Sequence, residues 1–289
     1  MNHKCPDTAA ELYRFYVAAR DHFGYTDRWW PGSPVELTVT AILVQQCDWT
    51  VAWKAAKRLR DAGLLNLTHL AKADAAAVTE LIQAVAFPRQ KAKRLIDIAG
   101  RLVSGGSGTI EEVLQSGSTE QVRQRLLALP GIGQETADSI MLFAADRHET
   151  FVVDAYARRL FQRLDLLDGC DQGFWRLPYD RVRRFFLDHI TDSLPLYDGL
   201  ELADDVPRSV ALLRDFHAQI VELGRHHCRK MRPRCVEAGW PGWADEDGDF
   251  TFCDDHCSQN GCMACPLADS CAASKSWTLN DTTTNRSIS

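Results

Sequence analysis

The stretch Leu129–Arg159, LPGIGQETADSIMLFAADRHETFVVDAYARR, constrains this 289-residue chain more than any other. Leu-Pro-Gly-Ile-Gly is a hairpin between two helical patterns: Pro130 fixes the turn, while Gly131 and Gly133 permit positive φ and close approach. Such a hairpin leaves backbone N–H groups pointing outward at a helix N-terminus, where they grip a phosphate. The spacing predicts a helix from Gln134 to Ala145, after which a short loop delivers Val152-Val153-Asp154 to the next helix. Asp154 is placed to act on whatever the phosphate belongs to. It is also placed to cap the helix beginning Ala155-Tyr156-Ala157, and the two roles are compatible.

The rest of the chain has helical periodicity. Apolar residues recur at that spacing over 8–23, over 35–60 as two helices, and over 71–85 with Asp74 as cap. The same holds for 90–102, 109–114, 119–129, 179–189 and 210–224. Sustained period-two alternation is absent, which predicts an all-α fold with strands no more than isolated turns. The breaks are informative. Gly24–Pro34, GYTDRWWPGSP, sets Trp29, Trp30 and Pro31 in a loop, either to plug the core or to offer flat apolar faces to a planar ligand. Gln45-Gln46-Cys47-Asp48-Trp49 separates two helices, with Asp48 a candidate cap; its amides can cap carbonyls or fill the gap a planar group leaves in a stack. Gly105-Gly106-Ser107-Gly108 reads as a flexible joint, and the Ser/Thr/Asn-rich tail 274–289 as disordered.

The formal net charge is −6, from 33 basic and 39 acidic residues, so a polyanionic partner would need a local basic face. Three clusters are candidates: Lys91, Lys93 and Arg94; Arg158 and Arg159; and Arg181, Arg183 and Arg184. Seven of the ten cysteines lie between Cys228 and Cys271, a bunching that suits metal ligation in a reducing compartment more than scattered disulfides. The N-terminus has no apolar h-region, and no run is long and apolar enough for a membrane span, so a cytoplasmic location is expected.

The hairpin, Thr136-Ala137, the apolar helix and Val153-Asp154 together resemble the helix-hairpin-helix DNA glycosylase superfamily, of which endonuclease III is a member. The resemblance implies a two-subdomain helix-hairpin-helix glycosylase fold, DNA-backbone contacts from Gly131, Gly133 and Gln134, and catalysis by Asp154. In bifunctional members a lysine two residues past the second hairpin glycine attacks the sugar as a Schiff-base nucleophile. Glu135 stands there in this chain, and a carboxylate cannot form an imine. The implied reaction is therefore monofunctional, with Glu135 either a polar contact to the base or a charge suited to the helix dipole.

Patches over residues 20–225 are similar to bacterial 3-methyladenine DNA glycosylases of the endonuclease III type. They are Trp29-Trp30-Pro31, Gln45-Gln46 with Trp49, QKAKRLIDIAG, GIGQETADSI, VVDAY and the Phe216–Glu222 helix. That resemblance implies a base pocket of Trp29, Trp30, Pro31 and Trp49. It also matches Gln219 to a position where one member carries a modified lysine, chemistry an amide cannot supply.

Cys228-x6-Cys235 and Cys262-x2-Cys265-x5-Cys271 resemble the two halves of the family's iron–sulfur loop, split by a 27-residue insertion, residues 236–262. A 4Fe–4S cluster on Cys228, Cys265, Cys271 and either Cys235 or Cys262 is implied, with tetrahedral zinc the alternative. Cys253, His256 and Cys257 could join a spare cysteine in a second zinc site. The expected organisation is an N-terminal helix and Trp loop (1–34), a helical barrel with the hairpin (35–150), a C-terminal helical subdomain (151–227), a Cys-rich region (228–273) and the tail (274–289). The expected partner is damaged double-stranded DNA, bound by a monomer without a membrane. Two rivals remain: an endonuclease III-type glycosylase/lyase for oxidised pyrimidines using another lysine, and a non-catalytic DNA-binding iron–sulfur protein.

Overall fold

A computed structural model of the chain describes residues 8–26, 29–166, 174–231, 233–235, 243–244, 251–252, 264–271 and 273–274. The described helices are α1 (Thr8–Phe23), α2 (Pro34–Leu43), α3 (Trp49–Asp61), α4 (Leu67–Ala71), α5 (Ala75–Leu81), α6 (Pro88–Ser104), α7 (Ile110–Gln115), α8 (Thr119–Leu127), α9 (Gln134–Ala144), α10 (Ala155–Leu164), α11 (Tyr179–Thr191) and α12 (Arg208–His226). Among the described residues the strands are β1 (Trp243–Ala244) and β2 (Thr251–Phe252), one antiparallel pair with Trp243 opposite Phe252. The fold is mostly helical, as the periodicity predicts.

Polar side chains set the helix starts. Asp48 accepts from Thr50 N at 2.9 Å, and Asp74 accepts from Ala76 N and Ala77 N at 3.0 and 2.9 Å. Ser118 and Gln121 close a reciprocal capping box on α8. The helix expected over 71–85 is shorter than its apolar pattern. Asp74 starts α5 at Ala75 and the helix stops at Leu81, while Asn66 caps a separate short α4. Ile82 and Val85 are buried from turns, so their spacing reports burial and not helix.

The chain divides into two compact units. One comprises residues 28–152 and 205–210, built on α2, which packs against α3, α6, α7 and α9; α6 also covers α4 and α5. Its core includes Ile42, Leu59, Ile82, Leu95, Leu126 and Met141. Within it Arg123 forms a bidentate pair with Asp138 at 2.9 and 3.1 Å, and Thr150 donates to the same carboxylate at 2.9 Å. The pair is charged, buried and satisfied on both oxygens, the geometry that offsets desolvation.

The other unit comprises residues 1–27, 153–204 and 211–289. Its core is aromatic: Tyr16 stacks on Phe216 with ring centroids 5.2 Å apart, and Phe161 meets Phe15 and Phe186 at 5.4 and 4.4 Å. No described helix is long and apolar enough to cross a membrane.

Candidate functional site

The hairpin lies between α8 and α9. Ile132 N closes it onto Leu129 O at 3.3 Å, and the buried Ile132 side chain anchors its tip. Gly131 has φ +72°, the left-handed conformation that favours glycine. A Cβ there would also come within 2.0 Å of Arg94 Nε, so the arginine side chain would have to move away. Gly133 departs from expectation. It caps α9 with φ −90° and ψ 179°, ordinary extended backbone, and a Cβ on it would meet no atom within 4 Å. Only Gly131 needs positive φ; beside Gly133 there is open space.

Gln134 and Glu135 occupy the first turn of α9, Glu135 exposed and at the positive end of the helix dipole. The adjacent glutamines take different roles. Gln45 turns inward, its amide nitrogen donating to Gly131 O at 3.1 Å and Thr136 Oγ1 at 3.0 Å, and its amide oxygen accepting from Arg94 at 2.7 Å. Gln46 is exposed and sits at φ 54°, uncommon for a residue other than glycine.

In the same unit the loop tryptophans join an aromatic cluster. Trp29 and Trp49 lie nearly parallel, with centroids 6.3 Å apart at 17°. Trp30 stands edge-on to Trp49 at 4.9 Å and is fixed by its indole N–H donating to Thr40 Oγ1 at 3.0 Å. Pro31 is half-buried beside them. Two members escape a loop-centred reading: Phe143, 5.3 Å from Trp30, and Trp53, 6.1 Å from Trp49. The Trp49–Trp53 spacing of one helical turn on α3 is the signal that could have found Trp53.

In the other unit Asp154 caps α10, its carboxylate accepting from Ala157 N at 2.7 Å. Burial pushes this carboxyl up to about 6, against the opposing pull of the Ala157 N–H and the Arg159 guanidinium. A carboxyl poised there is ionised at neutral pH yet poorly solvated, which suits a group that must meet positive charge.

Several expected basic contacts point inward. Lys91 is buried, with Nζ donating to Leu43 O and Gln45 O at 2.7 and 2.8 Å, and Arg94 is held by Gln45. Arg158 donates to Leu177 O, Arg159 to Cys228 O, and Arg183 pairs with Asp180. Lys93, Arg181 and Arg184 remain exposed. Sequence clusters overstate the basic face because carbonyls at helix ends compete for the same donors.

Gln219 is fully buried, its nitrogen donating to Gly24 O at 2.8 Å and Asp215 at 3.1 Å; its amide oxygen has no hydrogen-bond partner. Asp215 also accepts from Tyr16, and from Thr26 N at 3.1 Å. Gln219 is thus a brace on the segment after α1.

Cys228, Cys235, Cys265 and Cys271 line one cavity with Leu160, Arg163 and His227. Cys265 N donates to Cys235 O at 3.0 Å, Arg163 donates to Cys228 Sγ at 3.1 Å, and the Cys271 thiol donates to Arg163 O at 3.5 Å. Burial first, and then negative charge on Cys235, Cys228 and Cys271, pushes the Cys265 thiol up to about 12 against the pull of the Leu267 N–H. Four thiolates here therefore need a cationic partner. Among the described residues no group of three or more His, Cys, Asp or Glu is arranged to hold a metal ion. Gly224 lies in the last turns of α12 before this loop, and a Cβ on it would strike the Tyr156 ring at 2.3 Å, so the end of α12 packs its backbone against a ring of α10. Cys262, Cys253, His256, Cys257, the rest of the 236–262 insertion except 243–244 and 251–252, and residues 275–289 lie outside the described residues.

Residues 39–173 match the family model described as HhH-GPD superfamily base excision DNA repair protein. A Methanocaldococcus jannaschii protein named as a DNA repair glycosylase is 32% identical over 76% of this chain and 89% of its own. Thermotoga maritima endonuclease III is 29% identical over 71% and 79%. Among solved structures, the H. pylori 3-methyladenine DNA glycosylase bound to 1,N6-ethenoadenine aligns with TM-score 0.61 at 26% identity, covering 75% of this chain and 97% of that one. A non-covalent endonuclease III–DNA complex aligns with TM-score 0.63 at 17% identity, over 94% and 98%, a likeness of fold. The chain belongs to the HhH-GPD superfamily of base excision DNA repair proteins, and it is a DNA glycosylase.

Proposed function

We propose that this glycosylase excises alkylated, 3-methyladenine-like purines from double-stranded DNA by hydrolysis, without a lyase step. The aromatic cluster carries the reading. Alkylation leaves the base cationic, and electron-rich ring faces attract a planar cation. Trp29, Trp30 and Trp49 gather three indole rings in one cluster, Trp29 and Trp49 nearly parallel with centroids 6.3 Å apart, which supports stacking of a planar cationic base on an indole face. The H. pylori relative, which binds ethenoadenine, supports the same class.

In this reading the hairpin amides, with room beside Gly133, seat a phosphate, and the exposed Gln46 fills the gap left by the extruded base. The C1′–N bond breaks with its electron pair leaving on the base, which neutralises the base's charge. The oxocarbenium-like sugar is stabilised by the ionised Asp154 carboxylate, water adds at C1′, and its proton passes to Asp154 and then to solvent. Glu135 offers no amine, which removes the imine route from that position.

We assign a 4Fe–4S cluster to this cavity, with Cys228, Cys265 and Cys271 as ligands and Cys235, which lines the same cavity, as the choice for the fourth over Cys262. When bound, the cluster supplies the positive charge that the thiolates need. This chain's part is to order the loop bearing Arg229, Lys230 and Arg234.

The test is an excision screen of purified protein against methylated, oxidised and deaminated duplexes, with borohydride present in a parallel series. Release of alkylated purines with no borohydride adduct is expected. Release of oxidised pyrimidines with a trapped adduct would overturn both the substrate and the mechanism.

A further inference from the structure

Gln46 lies exposed after α2 at φ 54°. A non-glycine residue at positive φ persists where its surroundings over-determine it, and the residue before it is held from four directions. Gln45 uses its amide nitrogen on Gly131 O of the hairpin and on Thr136 of α9, and its amide oxygen on Arg94 of α6. Lys91, also on α6, holds the Gln45 and Leu43 carbonyls at the end of α2. Arg94 in turn lies against Gly131 where a side chain would otherwise stand. The loop, the hairpin and α6 thus share one polar node, and every hydrogen-bonding group of the Gln45 amide is engaged within it.

We propose that Gln45 is a positioning residue that locks the Gln46 turn to the Leu129–Gly133 hairpin through Arg94 and Lys91, so that phosphate seating and insertion of the Gln46 amide occur as one event. This rests on the glycosylase reading and adds a coupling to it. The bland alternative, that Gln45 only stabilises the fold, predicts lower stability with every DNA step weakened alike. The coupling predicts a selective loss.

The experiment uses the full chain and a duplex with a reduced abasic site beside 2-aminopurine, whose fluorescence reports unstacking without any base excision. Gln45→Ala should cut the fluorescence gain and the single-turnover excision rate about tenfold, the factor of one charge-assisted hydrogen bond. Affinity for undamaged duplex should change less than about threefold. Gln46→Ala should match it, and the double variant should be no worse than either single one, the signature of residues acting as one unit. Arg94→Gln repeats the test should Gln45→Ala unfold. Losses that multiply in the double variant, or that fall equally on duplex binding and unstacking, overturn the coupling. Wild type that excises alkylated bases without raising the signal also overturns it and leaves the function standing. Wild type that excises nothing overturns the function.

Discussion

The Asp154 carboxyl, held up at about 6 by burial, ties activity and stability to pH in opposite senses. The reaction needs the carboxylate, so log kcat/KM should fall with unit slope below pH 6, read from single-lesion kinetics. Stability runs the other way. A carboxyl whose folded value is raised contributes stability fully present below its unfolded value of 3.8 and lost as pH rises through about 6. Asp154→Asn, which never ionises, should therefore be more stable than wild type by about 1–3 kcal/mol at pH 8 and alike below pH 4, measured by urea unfolding. Its excision rate should drop roughly 100- to 1000-fold while duplex binding is retained. At this scale the sequence was legible where chemistry is local: Asp154 after the hairpin, and Glu135 in place of an amine. The inward turn of Gln45 and the burial of Lys91 depend on carbonyls 86 and 48 residues away in the chain, beyond any local pattern.

Among the elements, the two hairpin glycines should separate under substitution. Gly131→Ala meets both positive φ and the Arg94 side chain, so it should cost about 2–4 kcal/mol and lose DNA affinity with the fold. Gly133→Ala meets neither, and thermal unfolding should leave it within about 0.5 kcal/mol of wild type. Its duplex affinity should still fall, because the added methyl projects into the space the phosphate needs. Equal stability losses in the two variants would remove the distinction. α9, with glycine before it and a full apolar face, could be read from sequence almost to its ends, and the start of α10 from its Asp154 cap. The break at Asp74 was legible as a cap, yet the apolar spacing through Val85 hid where α5 stops.

For the whole molecule, a net charge of −6 and a DNA substrate are reconciled by local placement, and fewer arginines face outward than their clusters suggest. Affinity should still decline steeply with salt, because the phosphate contacts that remain release counterions. The cysteine cavity gives a colour test. Purified protein should absorb near 400 nm, roughly where iron–sulfur charge transfer lies. Cys235→Ser should bleach it and Cys262→Ser should not, with iron content measured alongside. Colour lost in Cys262→Ser and kept in Cys235→Ser would reassign the fourth ligand. The two halves of this motif were legible from spacing. Which cysteine closes the set was not, because the insertion breaks the spacing that would decide it.

The contact between Arg94 and the bare Cα of Gly131 has a consequence for engineering. A five-residue hairpin looks like a cassette that could be grafted onto another helical scaffold. Here part of its shape is written elsewhere, in an arginine on α6 and a glutamine after α2. A transplant carrying only Leu129–Gly133 would bring the backbone turn and leave behind the side chains that aim it. The transferable module is discontinuous, and a graft that works will have to move three segments together.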